Sequence, residues 1–224
     1  MTEAYIIDTE TTGFKDPVEV IELGALGLKD LGTLAIADEV NMRFRPSKPI
    51  ELGALATHHI MDEELVDCPP SSELQLPDMV YAVGHNVDFD CRALGIIGEV
   101  KRIDTCCLAK LLAPRLSGYS QSALIYHFYR SQAREWLTGA HSAYTDVINC
   151  RRLLAALLPL AGVTTWEELW LLSERARVPR EIDFGKYKGK KITEIPVDYC
   201  QWYLRQADVD EYMAKAMKAR LGWE

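Results

Sequence analysis

Asp8 and Glu10 stand one residue apart at the end of the apolar run Tyr5-Ile6-Ile7, just before Thr11-Thr12-Gly13. On an extended chain residues i and i+2 share a face, so both carboxylates point to one side of a strand end. Hard oxygens paired in this way suit Mg²⁺ or Mn²⁺. The spacing alone is a weak signal, because the chain holds 15 Asp and 18 Glu and the pattern recurs at Asp62-Glu63-Glu64. There, solvated charge on a helix face is the simpler reading. Asp8 and Glu10 differ in their setting, after a buried strand and before a turn, where α/β sheets place their sites. A His-x4-Asp spacing occurs twice, at His85…Asp90 and His141…Asp146. Taken alone, His141 is equally well a surface residue at a helix start. His58 and His59 read as polar loop residues, and His127 as a partly buried helix residue.

These side chains need elements to hold them. Tyr5–Ile7 is a short strand, Val18–Leu28 a second, and a third β-like stretch runs to Phe44 before Pro46 and Pro49. Ile50–Thr57 fits a short helix. Met79–Val83 reads as a buried strand ending at Gly84-His85-Asn86, with a helix from about Val87. Val100–Ile103 is a short strand, followed by helices over Thr105–Leu112 and Ser120–Tyr129. Val147, Ile148, Leu154, Leu157 and Leu158 give Ala143–Leu158 a helical period, closed by Pro159 and Gly162. Three leading β segments followed by alternating helix and strand predict an α/β domain with a mixed sheet. Thr164 or Thr165 caps a helix over Trp166–Arg175, and Val178-Pro179-Arg180 reads as a linker. Ile182–Ile192 reads as a hairpin, with helices near Tyr199–Arg205 and Glu211–Leu221.

The chain has 224 residues, 48% hydrophobic and 26% charged, which are ordinary globular values. No apolar run approaches the roughly 18 residues of a membrane helix, and the N-terminus lacks a basic region before its apolar stretch. Six cysteines without zinc spacing fit reduced, mostly buried thiols, and a cytoplasmic location is expected. A net charge of −8 argues against a general polyanion binder. Acids that hold metal soften that argument, since the effective charge is then less negative.

Read together and in order, the segments resemble the DnaQ-like (DEDDh) 3′–5′ exonucleases. Ile6-Ile7-Asp8-Thr9-Glu10-Thr11-Thr12-Gly13 is similar to their first motif, Gly84-His85-Asn86-Val87-Asp88-Phe89-Asp90 to the second, and His141-Ser142-Ala143-Tyr144-Thr145-Asp146 to the third. The resemblance implies a ribonuclease-H-like α/β fold with a mixed five-stranded sheet flanked by helices. It implies a catalytic set of Asp8, Glu10, Asp90, His141 and Asp146, with the four acids holding two Mg²⁺, or Mn²⁺ in their place. In this set His141 is the general base, for which a reference pKa of about 6.5 is apt. The second-motif carboxylate is Asp90, so Asp88 falls on a variable position and favours its own helix start. Ala54–Ile60 is similar to a substrate-side segment, with His59 where glycine is common. Thr11, Thr12, His58 and Asn86 are thereby expected to bind substrate.

The resemblance further implies DNA with a free 3′ end as substrate, single-stranded or duplex, with RNA as the alternative. No membrane and no specific protein partner are expected. A non-catalytic binding or polymerase-associated subunit on the same fold is the distant rival, and the intact acid and histidine set argues against it. The expected organisation is a nuclease domain over 1–160, a helix and linker over 161–181, and a small module over 182–224. That last segment is similar to the C-terminal module of one family member. Its Lys186, Lys188, Lys190 and Lys191 are candidates for an accessory nucleic-acid contact. They serve equally as charges that solvate a hairpin.

Overall fold

The structure, a computed structural model, describes residues 2–15, 17–96 and 98–223. Met1, where the N-terminal reading begins, lies outside them, as do Asp16, Ile97 and Glu224. Two compact units form, residues 1–173 and 174–224.

In the first unit five strands lie in the order β3-β2-β1-β4-β5. They are β1 (Ala4–Thr11), β2 (Val20–Leu28), β3 (Ile36–Arg43), β4 (Tyr81–Gly84) and β5 (Lys101–Asp104). β2 runs antiparallel to β1 and β3, while β4 runs parallel to β1 and β5, so the sheet is mixed. β2 is buried along its whole length and β3, at the edge, is mostly exposed and carries Asp38, Glu39 and Arg43. Charge on an edge strand discourages pairing with other chains.

Both faces are covered. Tyr5, Ile7, Ala25 and Ala82 pack with Cys91 of α2 (Asp88–Ala93) and with Val87 just before it. On the other face Ile6, Leu26, Val83 and Ile103 pack with α3 (Thr105–Leu112), α4 (Gln121–Phe128) and α6 (Ala143–Ala161). Val147, Leu153, Leu154 and Leu157 give α6 its buried stripe. α1 (Leu52–His58) precedes β4, and α5 (Arg130–Trp136), which has no counterpart in the sequence reading, lies between α4 and α6. α7 (Trp166–Arg177) opens on a reciprocal cap, with Thr165 Oγ1 accepting from the Glu168 N–H and Glu168 Oε2 accepting from the Thr165 N–H.

Three local expectations need correction. Pro159 does not end α6, which continues to Ala161 and closes on Gly162 at φ 66°. The ring costs one backbone bond, but Ala155 and Pro159 are both exposed, so the spare carbonyl meets solvent. His127 is exposed rather than partly buried. Ile182–Ile192 forms a single Glu181–Lys191 bridge and two 3₁₀ turns rather than a hairpin. Gly185 and Gly189, at φ 61° and 82°, take the chain out of extended conformation there.

In the second unit α8 (Val197–Tyr203) and α9 (Glu211–Leu221) close a core of Ile182, Ile192, Ile195, Cys200, Tyr203 and Met217. Cys91, Cys106, Cys150 and Cys200 are buried, while Cys68 and Cys107 are half-buried.

Candidate active site

The pleat of β1 fixes the first two acids. Asp8 sits opposite Gly24 and Glu10 opposite Glu22 on β2, on the face that α6 covers. Gly24 lets α6 approach, since a Cβ there would lie 2.5 Å from the Ala143 carbonyl. Asp146, in the first turn of α6, thereby meets β1. One ligand oxygen from each of Asp8, Glu10 and Asp146 can be chosen so that all lie within 4.8 Å of one another.

Asp90 arrives from the other side of the sheet, on α2, and is buried. Its Oδ1 accepts from the Thr9 N–H at 2.9 Å and from Thr9 Oγ1 at 2.8 Å. Asp8, Glu10, Asp90, Asp146 and His141 line one cavity of about 410 Å³. His141 is exposed at φ 67°, a conformation uncommon for a non-glycine residue. Its N–H donates to Asp146 Oδ2 at 3.1 Å. The other His-x4-Asp pair differs, because the His85 ring is half-buried between Thr105 Oγ1 and the Tyr119 carbonyl.

Burial and mutual repulsion push these carboxyls up. Asp8 is held well above the usual carboxylate range by burial, then by Asp90, Asp146 and Glu10. Burial, with Asp146 and Glu22 adding, raises Glu10 to about 8. Burial raises Asp90 to about 7 against the opposing Thr9 bonds, and Asp146 to about 6 against the His141 N–H. Crowded oxygens that resist ionisation in the bare fold are the donor set a divalent cation relieves.

The model of the RNase_T family, described as exonuclease, matches residues 5–154. The chain belongs to the DnaQ-like 3′–5′ exonucleases. It is 28% identical over 214 residues to Exodeoxyribonuclease 10 of Escherichia coli strain K12, covering 91% of each chain. It is 24% identical over 184 residues to the uncharacterized exonuclease CP81 of Escherichia phage 186, covering 71% of this chain and 88% of the relative. A solved Exonuclease X in complex with 5′-overhanging duplex DNA superposes with a TM-score of 0.57 at 24% identity, over 76% of this chain and 99% of that one. The second unit is similar to a different family, QSregVF_b, whose name refers to a quorum-sensing-regulated virulence factor, over residues 175–214.

The exonuclease fold gathers the five catalytic candidates and Asn86 around the cavity, but not all the substrate-side candidates. Thr11 and Thr12 are buried and engaged: Thr11 Oγ1 donates to the Gly13 carbonyl, and Thr12 Oγ1 accepts from the Glu19 N–H. The Thr12 N–H and C=O are also taken, by Glu19 and Glu51. His58 ends α1 rather than lying in a loop, is buried, and accepts from the Ile60 N–H through Nδ1. Burial holds its ring below the usual imidazole range, opposed by the Thr11 backbone. His59 follows at φ 59°, which a glycine would adopt without strain. Lys186, Lys188, Lys190 and Lys191 belong to the second unit.

Three residues of the exonuclease escaped the sequence reading. Glu22 is buried, accepts from the Ala143 N–H at 2.7 Å and from Arg43 Nε at 3.0 Å, and so ties β2 and β3 to the start of α6. The lone acid within the apolar run Val20–Leu28 was its signal. Thr9 holds Asp90, and Gln121 Nε2 donates to the Asp146 carbonyl at 3.1 Å. Neither carries a mark that spacing reveals.

Proposed function

We propose that the chain is a metal-dependent 3′–5′ exodeoxyribonuclease that releases nucleoside 5′-monophosphates, with Asp8, Glu10, Asp90 and Asp146 as ligands for two Mg²⁺ and His141 as general base. The observation that carries this is the convergence of three carboxylates within 4.8 Å, beside an exposed histidine whose backbone is tied to one of them. The donor set fits hard divalent cations, being all oxygen and short of positive partners. Bound cations supply Lewis-acid stabilisation of the phosphodiester and make a coordinated water more acidic; Mn²⁺ substitutes for Mg²⁺ in this role.

The chain's own groups do the rest. Asp8, on which Asp90, Asp146 and Glu10 all act, would help to hold both cations. Thr9 occupies Asp90 Oδ1, which leaves Oδ2 for a ligand. A ring nitrogen of His141 takes the proton of the attacking water, and the Asp146 bond to its backbone sets where that ring stands. Asn86, exposed at the cavity and at φ 66°, contacts the terminal nucleotide. DNA is favoured over RNA by the likeness to Exodeoxyribonuclease 10, which spans most of both chains.

The test uses 5′-labelled DNA with Mg²⁺, resolved by length, beside RNA of the same sequence and a 3′-blocked DNA. A descending ladder from the free-ended DNA, absent with Glu10→Ala, is expected. Faster loss of RNA would overturn the DNA assignment. Cleavage of the blocked strand at the same rate would overturn the polarity.

A further inference from the structure

Outside the acid cavity, the feature with most unexplained chemistry is an aromatic ladder on the second unit. Tyr187 and Tyr199 meet edge to face at 4.7 Å between ring centroids, and Tyr199 lies against Trp202 at 5.2 Å and 37°. Lys186 Nζ stands 4.8 Å from the Tyr187 centroid and 5.7 Å from that of Tyr199, and Lys190 Nζ stands 5.8 Å from Tyr187.

The core accounts for only part of this arrangement: Tyr187 and Tyr199 are half-buried against it, while Trp202 stays exposed. On α8, Cys200 and Tyr203 are the residues that enter the core. Tyr199 and Trp202, three apart, share a neighbouring face. Trp202 keeps 47% of its surface exposed, and all four lysines of Lys186–Lys191 are exposed. None of the four is within salt-bridge distance of a carboxylate among the described residues. Gly185 holds the ladder's edge, since a Cβ there would lie 3.2 Å from Tyr199 Oη. The charge is local. Residues 174–224 hold 11 Lys+Arg against 9 Asp+Glu, whereas residues 1–173 hold 14 against 24.

We propose that Tyr187, Tyr199 and Trp202, with Lys186 and Lys190, form a second nucleic-acid site that binds unpaired nucleotides, with bases stacked on the exposed indole and phosphates beside the lysines. It rests on the reading of the substrate as a nucleic acid. Rings give every base a stacking face, and ammonium groups follow the backbone, so binding is tolerant of sequence and sensitive to salt. A site on the same chain keeps a long strand at high local concentration between cleavage events.

The test measures anisotropy of a labelled oligothymidylate of about 20 nucleotides with the full chain in EDTA, where no turnover occurs. Trp202→Ala should weaken binding about fivefold or more, the lower limit for one lost base–aromatic stack. Replacing Lys186 and Lys190 together by Gln should reduce the log–log salt slope by about 1.4, two phosphates' worth for a single strand. A blunt duplex, lacking unpaired bases, should bind Trp202→Ala as it binds the parent. Single-strand affinity within twofold of the parent, in a variant with native circular dichroism, overturns the proposal. So does equal weakening on the blunt duplex. Should Trp202→Ala not fold, the exposed lysine pair decides, and an unchanged slope overturns the proposal. Binding is read without hydrolysis, so a missing Trp202 effect and a missing cleavage ladder are separate failures.

Discussion

The carboxyl groups of the cavity are poised by burial, and that gives each a testable behaviour. Asp146, Asp90 and Glu10 are raised to about 6, 7 and 8. A carboxyl whose pKa is raised by folding stabilises the fold in its protonated form. That contribution is complete below the ordinary carboxylate range and is lost as pH rises through 6 to 8. Cations compete with those protons, so the rise in melting temperature on adding Mg²⁺ or Mn²⁺ should grow from pH 6 to pH 9. Differential scanning fluorimetry checks this, and a larger shift at pH 6 would contradict it. Glu10→Ala should lower kcat by about 10³-fold or more and shrink the metal-induced shift. Thr9→Val removes one of two donors to Asp90 Oδ1 and keeps the backbone one. About a tenfold loss of kcat with a native fold is the expected result, the lower end for groups that orient a metal ligand.

At the scale of elements, the contact between β2 and the start of α6 sets the site. Gly24→Ala would put a methyl carbon 2.5 Å from the Ala143 backbone and push the helix off the sheet. Overpacking of this kind costs about 1–3 kcal/mol, or about 2–4 °C of melting temperature per kcal/mol in a chain this long. Activity should fall further than stability, because Asp146 lies within one turn of Ala143. A variant with lowered melting temperature and parental kcat would show that α6 is not what positions Asp146. The main lines of this assembly were legible in the residues. The run Tyr5–Ile7 before Asp8, and the apolar period from Val147 to Leu158, mark elements whose burial decides their type. The support around the acids was not legible. Glu22 reads as an interruption in an apolar strand until the Ala143 N–H and Arg43 are seen to satisfy it. Thr11 and Thr12 lie in a motif, yet their hydroxyls serve their own turn. Ile182–Ile192 reads as a hairpin turning near Lys188-Gly189, but Gly185 and Gly189 at positive φ replace the ladder by turns.

Across the whole chain, charge is divided rather than balanced. The first unit carries the acids and the second a slight excess of bases. An acidic nuclease unit repels the polymer it cleaves until cations neutralise its cavity. Affinity for a hydrolysis-resistant phosphorothioate strand should therefore increase when Mg²⁺ replaces EDTA at constant ionic strength; equal affinity in the two buffers would refute this. The acid set has a further property. Asp8 lies near the start of the chain and Asp146 far along it, and the Glu22 bond that seats α6 spans 121 positions. No local segment contains a competent centre. On the ribosome, the emerging chain carries its first carboxylates beside messenger RNA as ordinary solvated side chains. The complete acid set assembles only when α6 has left the exit tunnel and docked on the sheet, so a product that stops short of α6 lacks Asp146 and the contact that seats it.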